Sequence, residues 1–151
     1  MTKIKKGDKA PNFKAKNQNG EWVSLSDFKG KKLVLYFYPK ANTPTCTVES
    51  CNLSDNHQLL QKAGYAVLGV SADSEKQQLN FKNKFKFPFD LLADENQEVI
   101  KAYDVWAEKS TFGKTYMGLV RTTFIINELG KIEEVIDKVE SKNHAQQILS
   151  L

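Results

Sequence analysis

The chain has 151 residues, of which 40% are hydrophobic and 26% are charged, and its formal net charge is +4. This length is typical of one domain that buries its own core, and the four prolines and eight glycines exclude a low-complexity or collagen-like chain. The lysines are spread along the chain, which favours a solvated surface and argues against nucleic-acid binding. We see no signal peptide and no apolar segment near the ~20 residues that span a membrane, so we predict one cytoplasmic domain over residues 1–151, without a membrane partner.

Hydrophobic periodicity and turn residues predict an alternation of strands and helices. Asn19-Gly20 joins the first two strands, and both residues tolerate the positive φ of a tight hairpin turn. Residues 32–38 are apolar on both faces, which is typical of a central strand in a sheet covered on both sides. The expected elements are strands at 13–16 and 21–25, a helical turn ending at 28, a strand at 32–38, a helix at 43–63, a strand at 65–71, a helix from 71 or 74 to about 84, a strand at 89–92, a short helix at 94–103, strands at 122–127 and 131–136, and a last helix that Ser141 caps.

The segment 105–117 shows no clear period, and Gly113 and Gly118 predict loops there. Strands that alternate with helices and end in an antiparallel hairpin predict an α/β fold. We therefore expect a mixed central sheet with helices on both faces and an N-terminal β-hairpin.

Both cysteines lie in residues 39–51, PKANTPTCTVESC, directly after the predicted central strand. If Thr43 caps the next helix, Pro44 takes the first helical position and Cys46 the third. The sulfur then meets unpaired backbone N–H groups and the positive end of the helix dipole, which favour the thiolate. The Thr43 hydroxyl could donate to the sulfur or accept from a backbone N–H. Open α/β sheets place their sites at such strand ends, so we interpret Cys46 as a reactive nucleophile.

Cys51 follows Cys46 by five residues. On a continuous helix the two side chains point about 140° apart with a rise of about 7.5 Å, beyond the ~7 Å between Cα atoms that a disulfide tolerates. A bond between them therefore requires the first helical turns to unwind, and the alternative is that Cys51 is a passive core thiol. Zinc and other cofactors are not expected, because His57 and His144 match no usual ligand spacing with the cysteines and are predicted on helix surfaces.

Arg121 is the single arginine among 22 basic residues. Lysine does not replace arginine where a planar fork of donors or a permanent charge is needed. Arg121 is therefore a candidate site residue on composition alone, with a chance surface arginine as the alternative.

The motif Pro39-x-x-x-Thr43-x-x-Cys46 resembles the active-site motif of peroxiredoxins. The second cysteine in TPTCTVESC looks like the peroxiredoxin Q group, also called bacterioferritin comigratory proteins. Similarity extends through GDKAPNF, LVLYFYPK, VLGVSADS, FPFDLLAD and YMGLVRTTFIIN, which contains Arg121. Thr45 stands where glycine is usual in this family.

This resemblance implies a thioredoxin-like fold and a thiol-dependent peroxidase that reduces hydrogen peroxide and organic hydroperoxides. Cys46 would be the peroxidatic cysteine and pass through a sulfenic acid, and Cys51 would be the resolving cysteine of an intramolecular disulfide. The other implied site residues would bind and polarise the peroxide, shield its pocket or lie beside it: Thr43, Arg121, Pro39 and Glu49.

The resemblance also implies an external dithiol, thioredoxin or a glutaredoxin-like protein, that reduces the disulfide. We expect a monomer, because an intramolecular cysteine pair needs no second subunit. Two other classes stay open. A thioredoxin-like oxidoreductase acting on proteins would normally carry C-x-x-C, which this chain lacks, and a redox sensor would change a partner surface, for which the sequence offers no large apolar patch.

Overall fold

A computed structural model describes residues 2–151 and contains one central sheet, two small two-stranded sheets and five α-helices within that range. Met1, the first residue of the predicted domain, lies outside the described residues. Single 3₁₀ turns lie at Leu25–Phe28 and Ser141–Asn143. The other elements are β1 (Lys14–Lys16), β2 (Trp22–Ser24), β3 (Lys32–Phe37), α1 (Pro44–Asp55), α2 (His57–Lys62), β4 (Tyr65–Ser71), α3 (Glu75–Phe85), β5 (Asp90–Ala93), α4 (Glu98–Ala102), β6 (Trp106–Thr111), β7 (Lys114–Leu119), β8 (Thr122–Ile126), β9 (Ile132–Ile136) and α5 (His144–Leu149).

The central sheet has the strand order β5-β4-β3-β8-β9. Strand β3 pairs in parallel with β4 and antiparallel with β8, so the sheet is mixed and β3 is its middle strand. A middle strand of a covered sheet is apolar on both faces, which is the pattern that the sequence shows there. The predicted mixed α/β fold and the N-terminal hairpin are confirmed, with β1 antiparallel to β2.

Two hydrophobic layers cover the sheet. One contains Leu33, Leu35 and Phe37 of β3 together with residues of the N-terminal hairpin and of α4. The other contains Val34 and Tyr36 together with residues of α1, α3 and α5. The carboxyl end of β3 therefore delivers the chain into α1 on the second face. Between residues 2 and 151, no helix combines the length and the apolar character that crossing a membrane requires.

The predicted helix at 43–63 is two helices, because it breaks at Asn56 (φ −105°, ψ 13°). The Asn56 side chain donates to the carbonyl of Asn52 at 2.8 Å. Asparagine competes with the helical backbone for hydrogen bonds in this way, which explains why α1 ends at Asp55.

The prediction of loops over 105–117 is wrong. Strands β6 and β7 form an antiparallel hairpin whose two turn residues, Phe112 and Gly113, have φ of 53° and 77°. Positive φ at both positions is typical of the tight turn that suits a hairpin. The four residues that open β7 are exposed, so burial imposes no alternation of apolar and polar residues on the sequence there.

The start of the last helix also differs from the prediction. Ser141 begins a 3₁₀ turn, and α5 starts at His144. The prediction of a surface histidine at this position is wrong, since His144 is 0% exposed.

The helix α4 also starts later than predicted, because Asp94 precedes its first residue, Glu98, by four positions. The carboxylate of Asp94 accepts from the backbone N–H groups of Val99 and Ile100 in α4.

Candidate active site

Cys46 occupies the third position of α1. Thr43 precedes the helix in extended conformation, and Pro44 is its first residue. The first helical hydrogen bond runs from Thr47 N–H to the Thr43 carbonyl at 2.9 Å. The N–H groups of Thr45 and Cys46 come before that bond and have no partner inside the helix. The Cys46 side chain, in a residue only 1% exposed, therefore lies where partial positive charge gathers.

The Thr43 hydroxyl does neither of the two things considered from the sequence. It donates to the carbonyl of Lys40 at 2.8 Å, which closes the turn between β3 and α1. A hydroxyl that donates once keeps lone pairs with which its oxygen can accept. Pro39, at the start of this turn, is exposed.

The turn before α1 is fastened to the sheet by a buried polar network. The Ala41 backbone N–H and the Ser71 hydroxyl each donate to Oδ2 of Asp73 at 2.6 Å. Ser71 in turn accepts from Gln78 at 2.9 Å, and Gln78 accepts from the hydroxyl of Tyr38 at 2.6 Å. The residues on both sides of Pro39 are thus tied to β4 and α3.

Arg121 reaches the sulfur from the segment between β7 and β8. Its Nη2 donates to Cys46 Sγ at 3.2 Å, and its Nη1 donates to Glu49 Oε1 at 2.6 Å. The planar fork of one arginine therefore bridges two residues one helical turn apart. Burial lowers the pKa of Arg121, but Glu49 and Cys46 outweigh burial and leave this pKa above its ordinary value.

Glu49 lies below Arg121 and is 0% exposed. Burial raises the pKa of its carboxyl from about 4.5 to about 7, although the charge and the hydrogen bond of Arg121 oppose this shift. Its Oε1 accepts from Arg121, whereas its Oε2 is buried without a hydrogen-bond partner among the described residues. Only one of the two oxygens of an ionised Glu49 therefore has a hydrogen-bond donor among the described residues.

His144 is the site-proximal residue that the sequence reasoning missed. Its Nε2 lies 3.6 Å from Glu49 Oε2 and 2.7 Å from the hydroxyl of Thr123, and its Nδ1 lies 2.8 Å from Gln147 Oε1. Burial lowers the pKa of His144, and Arg121 adds to this while Gln147 opposes it. The available signal was spacing. His144 precedes the buried Ile148 by four residues, which places both on one helix face.

Cys51 is half-buried and packs against the same core layer as Cys46. Burial and the charge of Asp55 raise the pKa of the Cys51 thiol. Both cysteines are free thiols and α1 is continuous between them. No group of three or more His, Cys, Asp or Glu side chains within the described part of the chain is placed to hold a metal ion.

The sequence and the fold of this chain are similar to those of known proteins. Residues 6–135 match the model of the AhpC/TSA family. The chain is 46% identical over 150 residues to peroxiredoxin Bcp of Escherichia coli K12, covering 99% of this chain and 96% of that one. It superimposes on a cysteine-to-serine mutant of Xylella fastidiosa PrxQ with a TM-score of 0.92, at 32% identity and covering 99% and 96% of the two chains.

A third relative is the bacterioferritin comigratory protein of Xanthomonas campestris, solved as trapped intermediate and ligand complexes in connection with its alkyl peroxide reduction activity. The TM-score is 0.85 at 35% identity, over 91% of this chain and 88% of that one.

Proposed function

The chain belongs to the AhpC/TSA family as a peroxiredoxin of the Bcp and peroxiredoxin Q kind, and on that premise we propose that Cys46 is its peroxidatic cysteine. The enzyme is a thiol peroxidase that reduces hydroperoxides. The observation that carries the assignment of Cys46 is the 3.2 Å contact between its sulfur and Nη2 of Arg121, at the start of α1.

The first chemical step is attack of the Cys46 thiolate on the terminal oxygen of the hydroperoxide. The S–O bond forms, the O–O bond breaks, and sulfur gives up two electrons. The products are a sulfenic acid and an alkoxide or hydroxide, which takes one proton to leave as alcohol or water. Organic hydroperoxides and hydrogen peroxide are both substrates in this proposal.

Arg121 interacts with the two negative charges of this step, the thiolate and the charge on the peroxide oxygens. Its Nη2 stabilises the thiolate before attack and the charge that develops on the peroxide oxygens during it. The N–H groups of Thr45 and Cys46, which have no partner inside α1, add partial positive charge at the start of the helix. Thr43 accepts from the peroxide O–H through a lone pair that its bond to Lys40 leaves available, and Pro39 shields the pocket mouth.

Glu49 positions Arg121 rather than touching the peroxide. Its Oε1 lies 2.6 Å from Nη1, on the opposite side of the guanidinium fork from the bond to Cys46. A bidentate fork held at one end is fixed at the other, so Glu49 sets the direction of the donor that reaches the sulfur.

Cys51 is the resolving cysteine in this proposal. Its thiol attacks the Cys46 sulfenic acid, an S–S bond forms, and the hydroxyl leaves as water with the thiol proton. The two sulfurs cannot meet while α1 is continuous, since five helical residues span about 7.5 Å. The first turn of α1, closed by the bond from Thr47 to Thr43, must therefore open before the disulfide forms.

An external thiol reductant returns the two electrons by thiol–disulfide exchange. We assign this role to thioredoxin or a glutaredoxin-like protein. We also propose that the domain over residues 1–151 works as a monomer, because both reacting cysteines lie on one helix. Two free thiols suit the reducing conditions of the cytoplasm.

The experiment that tests this assignment is single-turnover oxidation. Reduced protein is mixed with one equivalent of hydrogen peroxide, and free thiols and intact mass are followed in time. We expect rapid loss of both thiols into one intramolecular disulfide.

Two variants divide the roles of the cysteines. Cys51→Ser should accumulate a sulfenic acid on Cys46, detected by mass and by reaction with dimedone. Cys46→Ser should leave Cys51 reduced under the same conditions. A wild-type protein whose thiols survive for many minutes, or a Cys46→Ser variant that reacts as fast as wild type, would overturn the assignment.

A further inference from the structure

Glu49 and His144 form a buried pair whose protonation the proposed mechanism leaves undefined. Both side chains are 0% exposed, and Glu49 Oε2 has no hydrogen-bond partner among the described residues. Nε2 of His144 lies 3.6 Å from this oxygen. That distance is a close charge contact rather than a hydrogen bond.

The tautomer of His144 follows from its other partner, Gln147. Gln147 Oε1 accepts from the backbone N–H of Glu140 at 2.9 Å, and its Nε2 donates to the carbonyl of Lys138 at 3.0 Å. These two backbone groups fix Oε1 as an acceptor. Nδ1 of His144, 2.8 Å from that oxygen, must therefore carry a proton, and in the neutral ring Nε2 presents a lone pair.

Thr123 is the partner that allows Nε2 to change state. Its hydroxyl, 2.7 Å away, donates to the lone pair of the neutral ring and can rotate to accept from the protonated ring. One nitrogen of His144 is thus fixed by Gln147, while the other, which faces Glu49, keeps a partner in either form.

Only Oε2 of Glu49 and Nε2 of His144 can gain or lose a proton, and the total on these two atoms has one favourable value near neutrality. With no proton, an ionised Oε2 is buried without a partner and faces a lone pair. With two protons, an imidazolium lies in a buried site beside the permanent charge of Arg121, which opposes it. With one proton, either a neutral carboxyl meets a neutral ring or a carboxylate meets an imidazolium.

We propose that Glu49 and His144 together carry one ionisable proton, either on Oε2 or on Nε2, and that this proton keeps the charge of Arg121 directed at the sulfur of Cys46. Both are positioning residues that act through Arg121, and the inference rests on the proposed role of Cys46. When the pair loses its proton, a full carboxylate lies 2.6 Å from Nη1 and competes with the thiolate for one cation.

The other groups that face the pair are few. Cys46 shares α1 with Glu49, Arg121 approaches from the segment before β8, and Tyr36 approaches from β3. Burial raises the pKa of Tyr36 far above neutrality, so it stays an uncharged phenol. The pair therefore titrates as a unit coupled to the thiolate and to Arg121.

The first test counts the proton in reduced wild-type protein without peroxide. Nuclear magnetic resonance of the His144 ring nitrogens and of the Glu49 carboxyl carbon should show Nδ1 always protonated and one joint transition, in which both residues change together as pH is varied. His57, half-buried on α2, is an internal control and should titrate independently. A Glu49 carboxyl that ionises alone near its ordinary value, or a neutral His144 protonated at Nε2, would overturn the proposal.

The second test follows the rate of Cys46 oxidation against pH in a Cys51→Ser background. We expect the rate to decline roughly tenfold as pH rises and the pair loses its proton, the effect of about 1.4 kcal/mol. Glu49→Gln keeps the acceptor for Arg121 and offers His144 a permanent N–H donor, so it should lose this decline.

Glu133→Gln is the matched control. Glu133 lies on β9 beside Lys32, so its substitution should leave the decline in place. A Glu49→Gln variant that declines as wild type does would overturn the proposal. Loss of peroxide reaction from every protein would instead contradict the assignment of Cys46, and the resonance transition would still decide the state of the pair.

Discussion

The two sides of Cys46 are fastened to the domain in different ways. Before the cysteine, the turn is held through Asp73, which accepts from Ala41 and Ser71. After it, α1 is held through Glu49, which contacts Arg121 and His144. Among the described residues, the network around Asp73 has no buried atom without a partner, whereas Glu49 has one.

We call the turn before Cys46, which Asp73 holds, the fixed side, and the helix after Cys46, which Glu49 holds, the changeable side. The network at Asp73 has donors matched to acceptors, which makes it rigid and costly to break. The network at Glu49 contains two titratable groups and touches the sulfur that is oxidised. Oxidation and protonation should therefore change the helix after Cys46 and leave the turn before it in place.

Replacing Arg121 should give the largest effect, because it removes the link between the changeable side and the sulfur. Arg121→Lys keeps the charge but loses the fork that joins Cys46 to Glu49. We expect the second-order rate of Cys46 oxidation to fall by about 10²–10³-fold, the usual effect of losing one such donor. Competition kinetics measure this rate, and an unchanged value would show that charge alone suffices.

Asp73→Ala should break the fixed side. Two donors lose their acceptor, the Ala41 N–H and the Ser71 hydroxyl, and we expect a loss of about 3 kcal/mol in the free energy of unfolding. Urea denaturation measures the loss. The control Asp55→Ala, at an exposed carboxylate at the end of α1, should stay within about 0.5 kcal/mol of wild type. Equal stabilities of the two variants would refute the distinction between the sides.

The stability of the changeable side should depend on pH through Glu49. Its folded-state pKa is about 7 and its ordinary value about 4.5, so the folded state retains the proton that the unfolded state loses between these values. Stability from this group is complete below pH 4.5 and is lost as pH rises to about 7, by up to about 3 kcal/mol.

A variant without the carboxylate tests this contribution. The free energy of unfolding of Glu49→Gln, measured against pH, should lack the decline that wild type shows between these values. His144 acts in the opposite direction, because its lowered pKa adds stability as pH rises, so the difference between the two curves reports the Glu49–His144 pair. Parallel curves for wild type and Glu49→Gln would contradict the prediction.

Asn52→Ala should have the smallest effect. Asn52 joins α1 to the C-terminal segment by accepting from Ala145 N–H at 2.8 Å and donating to the Lys142 carbonyl at 2.9 Å. The bond to Lys142 is exposed, so we expect a loss of about 1 kcal/mol in thermal or urea unfolding. A loss as large as that of Asp73→Ala would show that both sides are equally rigid.

The sequence pattern predicted those elements that are buried on both faces, because burial requires apolar residues there. The strand β3 was evident from its apolar run, and the placement of Cys46 followed from Thr43 and Pro44. The hairpin of β6 and β7 was missed because much of it is exposed and because Phe112 precedes Gly113 in the turn, where Asn or Asp is usual.

The contacts of Glu49 with Arg121 and His144 could not be predicted from the sequence in the same way. Arg121 stood out by composition, but its partners depend on β8 pairing with β3 and on α5 packing over α1. His144 was predicted at the surface although its four-residue spacing from Ile148 places both on one helix face, and that spacing does not predict the contact with Glu49. Such contacts arise from tertiary packing, which the local period of a short segment does not encode.

Hydrogen exchange at two amides tests most directly whether the helix start opens while the turn before it stays closed. The Thr47 N–H bonds to Thr43 within the first turn of α1, and the Ala41 N–H bonds to Asp73 on the fixed side. After one equivalent of hydrogen peroxide, Thr47 should lose its protection while Ala41 keeps it, and reduction should restore the first pattern. Protection of Thr47 in the disulfide form, or loss of protection at both amides together, would contradict this account.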